Sequence, residues 1–409
     1  MRSQKLVFIG SYVAENVSGS HRQERFIVKA LENGLNITYL KPAGNWKGAH
    51  DFTSIIEFDQ WKSSNKLNIF KGSVSSSKFK SLLVPLKYLL FIDVLGYGFF
   101  NTLRLLFINR KIFNSKYILI VSSPAISSAV AVYLYSKFFK TDLKYTIDMR
   151  DAWANHKSIK FLKSIRKSIE KNVLRKADHV ITVSRYLQEE FESCYKINVE
   201  LLYNVNVKLK EDSYNSLDKF IKNPFHKSSI NICYFGSLPS GFYNLSEFCI
   251  GLKNYLNSNN LKHSIKFYFY GPCDEMLKVL EYYPMIKQIC EFNSSVSHAE
   301  AVSLMKYCDA VLFFGFDAEK NAGVVSTKIF EYFFLNIKIL AFDIKLNSDL
   351  DFLFINICNE SVIINDHETL SIYLLKIFNN LNSLPSCKNK NYLFELDRNY
   401  GHFLDMKKQ

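Results

Sequence analysis

Short apolar runs alternate with longer amphipathic segments along most of the chain. Apolar runs bounded by polar or glycine-containing turns are typical of buried strands, and the segments between them are long enough for helices. The pattern predicts strands at 5–10, 36–40, 117–121, 143–147, 179–183 and 199–203, and later at 230–236, 265–270, 310–314 and 337–342. This alternation predicts an α/β fold of parallel sheets with helices on both faces.

A polar segment, 206–228, separates the two sets of strands and predicts a linker. We therefore expect an N-terminal domain at 1–205 and a C-terminal domain at 229–390. The final segment, 391–409, is expected to return to the N-terminal domain. Two domains of this class place a ligand cleft at the carboxyl ends of their strands.

The segment 323–342 combines a glycine-started loop, a helix and a short buried strand. The hydroxyls of Ser326 and Thr327 lie at the start of the helix, and Lys328 and Glu331 share one helical face because they are three residues apart. Free backbone N–H groups, the positive end of the helix dipole and a Lys suit a diphosphate. A Glu one turn further on can accept hydrogen bonds from ribose hydroxyls. The alternative is a capped surface helix with one ion pair.

This segment resembles the donor-site signature of GT-B glycosyltransferases of family 4, in which a Ser-Lys-x-x-Glu-Tyr-like element precedes a small turn and a strand. The segments 148–153, 177–184 and 234–238 resemble further elements of that family. The resemblance implies two Rossmann-like, doubly wound domains with an interdomain cleft. It also implies retaining transfer of a sugar from a UDP- or GDP-linked donor, without a metal ion or other cofactor. The implied acceptor is a lipid-linked sugar or a growing surface polysaccharide of the lipopolysaccharide or capsule type.

The resemblance also implies roles for individual residues. Catalytic roles fall to Asp151, near the reacting centre, and to Lys328, which neutralises the leaving diphosphate. Donor contacts are expected at Gly19, Ser20, Gly236, Ser237, Gly271, Val296, Ser326, Thr327, Lys328 and Glu331. Acceptor contacts are expected at Arg22 and Arg150.

Some of these assignments have plain structural alternatives. For Arg22, the alternative is a surface cation, and this alternative is favoured. For Arg150, the alternative is a structural salt bridge with an Asp. A single glycine after a strand, such as Gly236, is common in any α/β fold. The sequence also departs from the family at Gly323, eight positions before Glu331, where many members carry an acidic residue. The identity of the donor sugar therefore stays open.

Composition narrows the choice of partners. The chain has 409 residues, of which 48% are hydrophobic, so it can bury large cores. Its formal net charge of +14 is uneven: residues 1–204 hold 31 Lys and Arg against 16 Asp and Glu, and residues 205–409 hold 21 against 22. This asymmetry predicts an anionic partner for the first half. The absence of a named DNA- or RNA-binding motif favours the anionic inner membrane surface over nucleic acid.

Two segments are candidates for membrane contact. The segment 78–111 is very apolar but interrupted by charged residues, so it predicts either an amphipathic helix in the membrane interface or an ordinary pair of core helices. The segment 157–176 carries a basic stripe beside an apolar one, which predicts a basic amphipathic helix or a solvated helix surface. The uncharged stretch 117–136 contains Pro124, and it predicts a buried strand, a loop and a buried helix.

The eight cysteines show no CxxC spacing, so no metal site or disulfide framework is expected, and a reducing cytosol fits best. We expect a cytoplasmic protein that is peripheral on the inner face of the cell membrane.

Two other functions stay open. One is a GT-B nucleotide-sugar epimerase or hydrolase, which needs no lipid acceptor. The other is a non-catalytic, transferase-like scaffold that binds a membrane or partner enzymes.

Overall fold

The chain divides into two compact units. A computed structural model describes residues 5–10, 21–41, 54–57, 97–114, 117–122, 126–155, 160–205, 223–258, 264–315, 323–362 and 364–406. Residues 1–204 and 398–409 form the first unit, and residues 205–397 form the second. The chain returns to the first unit at Arg398, inside the last helix, whereas the sequence predicted the start of this final segment at 391.

The first unit is built on a seven-stranded parallel sheet with the strand order β3-β2-β1-β4-β5-β6-β7. Its strands are β1 (Lys5–Ile9), β2 (Asn36–Lys41), β3 (Ser54–Glu57), β4 (Tyr117–Ser122), β5 (Thr146–Met149), β6 (His179–Thr182) and β7 (Val199–Leu201). The helices assigned to this unit are α1 (His21–Glu32), α2 (Tyr97–Ile108), α3 (Ile126–Phe138), α4 (Lys160–Lys176) and α5 (Arg185–Tyr195).

Helices cover both faces of this sheet, because alternate residues of each strand point to opposite sides. Val7 and Ile9 of β1 pack in one core with residues of α2 to α5. Leu6 and Phe8 pack in a second core with α1 and with the end of the last helix, where Phe26 meets Tyr400 at a ring-centroid distance of 4.8 Å. The apolar strands predicted from the sequence are therefore buried on both faces, as a doubly wound fold requires.

The second unit has a five-stranded parallel sheet with the order β10-β9-β8-β11-β12. Its strands are β8 (Ser229–Phe235), β9 (Ser264–Tyr270), β10 (Cys290–Asn293), β11 (Ala310–Phe314) and β12 (Ile339–Phe342). Its helices are α6 (Leu245–Ser258), α7 (Asp274–Leu280), α8 (Pro284–Lys287), α9 (His298–Met305), α10 (Thr327–Phe334), α11 (Asp349–Cys358) and α12 (His367–Asn379). The last helix, α13 (Lys390–Met406), contains the division between the units.

Aromatic side chains dominate the core of the second unit. Phe248 of α6 packs on Phe267, Phe314 and Phe342 of three strands, with ring centroids 5.0 to 5.8 Å apart. Each buried ring contributes on the order of 2 kcal/mol through loss of apolar surface from water. This core packs α6 against β9, β11 and β12.

The predicted order of strands is confirmed with small shifts. The strand expected at 143–147 begins only at Thr146, and two strands at the edges of the sheets, β3 and β10, were not predicted. The stretch 117–136 does contain a buried strand and a largely buried helix. Of the segment 78–111, only residues 97–111 are described. In the described ranges, no helix combines the length and apolarity needed to cross a membrane.

Candidate functional site

Two glycine turns at neighbouring strand ends form the floor of a candidate site in the second unit. Gly236 follows β8 with φ of +136°, and Gly271 follows β9 with φ of +127°. The Gly236 N–H donates to the carbonyl of Tyr270 at 2.8 Å, and a Cβ on Gly271 would lie 2.5 Å from the Gly236 oxygen. Both positions therefore need glycine, because backbone conformation and close approach each exclude a side chain.

The Lys328 ammonium lies directly over the first of these turns. Lys328 is the second residue of α10, and its Nζ occupies the space that a Cβ on Gly236 would need. It also lies 5.4 Å from the centre of the Tyr234 ring, within range of a cation–π contact. The Tyr234 hydroxyl in turn donates to the carbonyl of Ser237 at 2.9 Å. Burial lowers the pKa of Lys328, and the nearby Glu331 carboxylate opposes that shift.

The start of α10 adds uncapped backbone donors beside this ammonium. Ser326 occupies the N-cap position with extended backbone, but its hydroxyl makes no capping hydrogen bond. The first N–H groups of a helix have no partner within the helix, and they attract anions together with the helix dipole. Hydrophobic packing anchors the helix, because Ile329, Phe330 and Phe333 are fully buried. The position of Lys328 is thus determined by the core beneath it.

Glu331 lies one turn further along α10 and contacts a histidine. One carboxylate oxygen, Oε1, is in hydrogen-bond contact with Nε2 of His298, the first residue of α9. This hydrogen bond raises the pKa of His298, and burial opposes the shift. The start of α9 is itself well defined, because Ser297 and Glu300 form a reciprocal capping box. Among the described residues, Glu331 makes no ion pair with Lys328, so the interpretation of this helix as a surface element with one internal ion pair is wrong.

Two further predicted donor residues, Ser237 and Val296, adjoin these groups in the sequence. Ser237 is exposed next to Gly236, and Val296 is half-buried just before α9. Gly323 precedes α10 with φ of +85°. Gly19 and Ser20 lie outside the described residues.

The first unit has a polar cluster at the carboxyl edge of its sheet. Arg22 and Asp148 form a fully buried ion pair, with Nη2 and Oδ1 2.7 Å apart. The Ser122 hydroxyl donates to the same carboxylate at 3.2 Å. Arg22 Nη1 also donates to the Leu202 carbonyl at 2.5 Å and to the Tyr400 hydroxyl at 2.6 Å.

Arg22 is therefore not a surface cation, and its acceptor contact stays a prediction. Its guanidinium is fully buried among partners from β5, the segment after β7 and α13. The sequence could not reveal this, because Asp148 and Tyr400 are 126 and 378 residues away. Arg22 instead ties α1 and α13 to the end of β5.

Arg150 and Asp151 follow this buried pair and lie nearer to solvent. Arg150 is half-buried, and Asp151 is exposed. Burial lowers the pKa of Arg150, and the positive charge of Arg22 adds to this shift. The carboxylates of Asp148 and Asp151 oppose it. The buried pair thus fixes the strand end from which Arg150 and Asp151 extend. Their predicted acceptor and catalytic roles stay predictions.

Three contacts in the second unit were not predicted from the sequence. His298 is not among the predicted site residues, and its contact with Glu331 joins two residues that are 33 positions apart. Tyr234 and Cys273 also border the Lys328 ammonium; Cys273 is buried, with Sγ 3.8 Å from the Gly236 carbonyl. A Tyr two positions before the glycine turn was the only available sign, since strand residues i and i+2 share one face.

The geometry of the second unit supports binding of an anion next to a polyol. The ammonium and the α10 N-terminus favour negative charge, and the Glu331 carboxylate accepts hydrogen bonds one helical turn away. Within the described ranges, no group of three or more His, Cys, Asp and Glu side chains is placed to hold a metal ion.

No protein-family model and no curated protein matches this sequence. Solved structures match it over nearly its full length. A glycosyltransferase from Rickettsia africae ESF-5 covers 100% of this chain and 95% of its own, with a TM-score of 0.57 and 14% identity. A trehalose-6-phosphate structure from E. coli, bound with UDP-2-fluoro glucose, covers 99% of both chains, with a TM-score of 0.63 and 11% identity.

The chain has the GT-B fold. A third structure, sucrose-phosphate synthase from Thermosynechococcus elongatus, covers 99% of this chain and 96% of its own, with a TM-score of 0.52 and 10% identity. The GT-B architecture of two parallel α/β sheets, predicted from the sequence, is therefore confirmed. At these identities the likeness establishes the fold, and membership of family 4 stays a prediction.

Proposed function

We propose that this protein is a retaining, metal-independent glycosyltransferase. Its second unit would bind a UDP- or GDP-linked sugar, and its first unit would bind the acceptor. The observation that carries the proposal is the position of the Lys328 ammonium over the Gly236 turn, with the Glu331 carboxylate one helical turn away. The E. coli neighbour, which is bound with UDP-2-fluoro glucose, supports a nucleotide-sugar ligand.

The proposed chemistry is electrostatic. When the bond between the sugar carbon and the diphosphate oxygen breaks, negative charge grows on the diphosphate. The Lys328 ammonium and the N-terminus of α10 stabilise that charge, which is the role a divalent cation plays in other transferases. Glu331 accepts hydrogen bonds from the ribose hydroxyls, and His298 holds its other carboxylate oxygen. Retention of configuration rests on the family resemblance.

We assign the acceptor to the carboxyl edge of the first sheet. Arg150 and Asp151 extend from the end of β5 there, and they can orient and deprotonate sugar hydroxyls. The proposed acceptor is a lipid-linked sugar or surface polysaccharide, reached by a protein that is peripheral on the inner membrane face.

The helix predicted at 157–176 supports the proposed position on the inner membrane face. In α4, Val173 and Leu174 are buried, whereas Lys163 and Arg175 are exposed, so the helix is basic and amphipathic. Contact between its basic face and lipid is part of the proposal.

The first test is a thermal-shift screen of nucleotides and nucleotide sugars against the whole chain. A ligand that binds only the native state raises the midpoint of unfolding, so UDP or GDP sugars should stabilise the wild type and AMP should not. Absence of a shift with every UDP- and GDP-linked compound would overturn the donor assignment.

The second test follows the products. With the stabilising nucleotide sugar and a lipid-linked glycan extract, labelled sugar should appear in the lipid fraction, and Lys328→Ala should abolish most of this transfer without unfolding the protein. Release of free sugar or of an epimerised nucleotide sugar at the full rate without acceptor would favour a hydrolase or epimerase instead. A donor that binds but never reacts would favour a scaffold.

A further inference from the structure

Five large apolar side chains are exposed on two adjacent helices of the first unit. On α2 they are Phe100, Phe107 and Ile108, which are 58%, 41% and 59% exposed. At the end of α3 they are Phe138 and Phe139, which are 66% and 63% exposed. The ring of Phe107 joins the two sets, because its centroid lies 4.8 Å from that of Phe139. We call these five residues the aromatic stripe.

The two helices run side by side from the carboxyl edge of the sheet towards its amino edge. α3 starts just after β4 ends, so its N-terminus lies at the carboxyl edge. α2 starts beside it, because Thr102 Oγ1 donates to Ser128 Oγ at 3.0 Å and a Cβ on Gly98 would lie 2.7 Å from Ser127 Oγ. The stripe therefore extends from Phe100, near the edge that carries Arg150 and Asp151, to Phe139 near the opposite edge.

Basic side chains surround the aromatic stripe. Arg110, Lys111 and Lys137 are exposed, and Lys140 is half-buried, 3.7 Å from Asp142. The Lys137 ammonium lies 5.5 Å from the centre of the Phe138 ring, and Arg110 is close enough to Tyr135 to lower its pKa against the effect of burial. The sequence has no acidic residue between Asp93 and Asp142, so the cations around the stripe have no acidic neighbours on α2 or α3 themselves.

We propose that the aromatic stripe and its basic rim dock this protein on an anionic lipid bilayer. Aromatic rings at the headgroup level with Lys and Arg around them are the chemistry that favours the membrane interface. The inference adds a binding surface to the proposed function and rests on it for the acceptor: docking along the stripe brings the acceptor edge of the first sheet close to the membrane.

Charge complementarity favours a bilayer over a second copy of the chain. In a two-fold symmetric dimer through this face, each patch meets its own copy, so Lys137 and Arg110 would meet like charges. Anionic headgroups would instead neutralise them. The neighbouring helix α4 is also rich in Lys and Arg.

Vesicle co-sedimentation of the full chain tests the proposal. Vesicles of equal parts phosphatidylglycerol and phosphatidylcholine should sediment the wild type, and phosphatidylcholine alone should not. Two double variants, Phe138→Ser with Phe139→Ser and Lys137→Glu with Lys140→Glu, should each weaken binding at least tenfold. Raised salt should weaken the wild type and leave the charge variant little changed.

Matched controls come from the second unit. Leu346→Ser with Ile372→Ser removes two side chains that are 63% and 66% exposed, and Lys253→Glu with Lys376→Glu reverses two exposed charges. Both controls should bind vesicles like the wild type. Vesicle binding by the serine variant of the stripe at the wild-type level would overturn the proposal. So would a dimeric wild type that becomes monomeric in the stripe variants while vesicle binding persists.

Nucleotide titration separates this proposal from the proposed function. The stripe variants should bind the stabilising nucleotide like the wild type, because the donor residues lie in the second unit. If no nucleotide binds to any variant while vesicle binding follows the stripe, the donor assignment fails and the docking surface stands.

Discussion

The Lys328 ammonium fills the space above Gly236 that any larger residue at that position would need. The two residues are 92 positions apart in sequence, and the ends of β8 and the start of α10 bring them together. Position 236 needs glycine because the Lys328 side chain occupies the space next to it. The predictions for the second unit follow from this pairing and from the contact between Glu331 and His298.

Gly236→Ala should weaken binding of the nucleoside diphosphate by at least tenfold. The added methyl group would both strain the backbone at φ of +136° and displace the Lys328 ammonium. Isothermal titration with UDP and GDP measures this loss. Gly241→Ala is the control, because Gly241 also has a positive φ of +75° but a Cβ added there would have nothing within 4 Å. The control should lose some stability and keep its affinity; equal losses of affinity in both variants would contradict the pairing.

Glu331→Gln should weaken nucleotide binding about tenfold, through the ribose alone. A charge-assisted hydrogen bond is worth about 1.5–3 kcal/mol, and a neutral amide loses much of it. For a nucleoside diphosphate that lacks the ribose 2′- and 3′-hydroxyls, wild type and variant should bind equally. A variant that loses the same affinity for both ligands would show that Glu331 acts on the phosphates or on the fold.

The contribution of His298 should depend on pH. Its hydrogen bond to Glu331 raises the pKa of His298, so the paired state is fully present below about 6.5 and is lost as the pH rises through the raised value. Nucleotide affinities of the wild type and of His298→Ala should therefore differ most at pH 6 and converge at high pH. A constant ratio of the two affinities across this range would argue against a titrating contact.

Glu170 predicts a stability change between about pH 4.5 and pH 7. This buried carboxyl of α4 accepts hydrogen bonds from Tyr195 Oη at 2.5 Å and from the Ala154 N–H at 3.3 Å. Burial raises the pKa of Glu170 to about 7, and the nearby Glu190 carboxylate adds to this shift. The two hydrogen bonds and the nearby Lys167 ammonium oppose the shift. Because the folded-state pKa lies above the unfolded one, the free energy of unfolding should fall by about 3 kcal/mol as the pH rises through this window.

Glu170→Gln should remove that pH dependence, since an amide cannot ionise. Its oxygen can still accept from the Ala154 N–H, and its NH2 group can donate to the Tyr195 hydroxyl. Urea unfolding at pH 5 and pH 8 measures it, with the exposed Glu189→Gln as control. A Glu170→Gln variant whose stability falls with pH as steeply as that of the wild type would rule out Glu170 as the source.

Arg22→Met should destabilise the first unit by about 3–5 kcal/mol, because it leaves the buried Asp148 carboxylate without its cation. Adding Asp148→Leu should recover much of this loss, since replacing both members of a buried ion pair is often neutral. Tyr400→Phe removes two hydrogen bonds, one from Arg22 and one to the Tyr203 carbonyl, and should cost about 2 kcal/mol. Urea unfolding of the three variants measures the series. A cost below about 1 kcal/mol for Arg22→Met would mean that Arg22 is solvated.

Much of the fold was accessible from the sequence because local patterns encode it. Long apolar runs such as 117–121 and 310–314 predicted their strands, and the alternation of elements predicted parallel sheets. β3 and β10 were missed because each has only four residues and lies at a sheet edge, where the apolar pattern is weak.

The candidate site was accessible only in part. Lys328 and Glu331 share a helix, so their spacing predicted a common face. Their partners come from other strands and helices: the contact of Glu331 with His298 and the burial of Arg22 by Asp148 depend on tertiary packing that no local pattern reports. The local sequence around a polar or basic residue at a helix start does not show whether its side chain faces water or a buried partner.

The central claim is that Lys328 binds the diphosphate of a nucleotide donor. Titration of the wild type and of Lys328→Met with UDP, UMP, GDP and GMP tests it most directly, with the exposed Lys376→Met as control. We predict that the wild type and the control bind one diphosphate at least tenfold more tightly than its monophosphate, and that Lys328→Met loses this preference while keeping its weak monophosphate affinity. A Lys328→Met protein that still prefers the diphosphate by the wild-type factor would contradict the account.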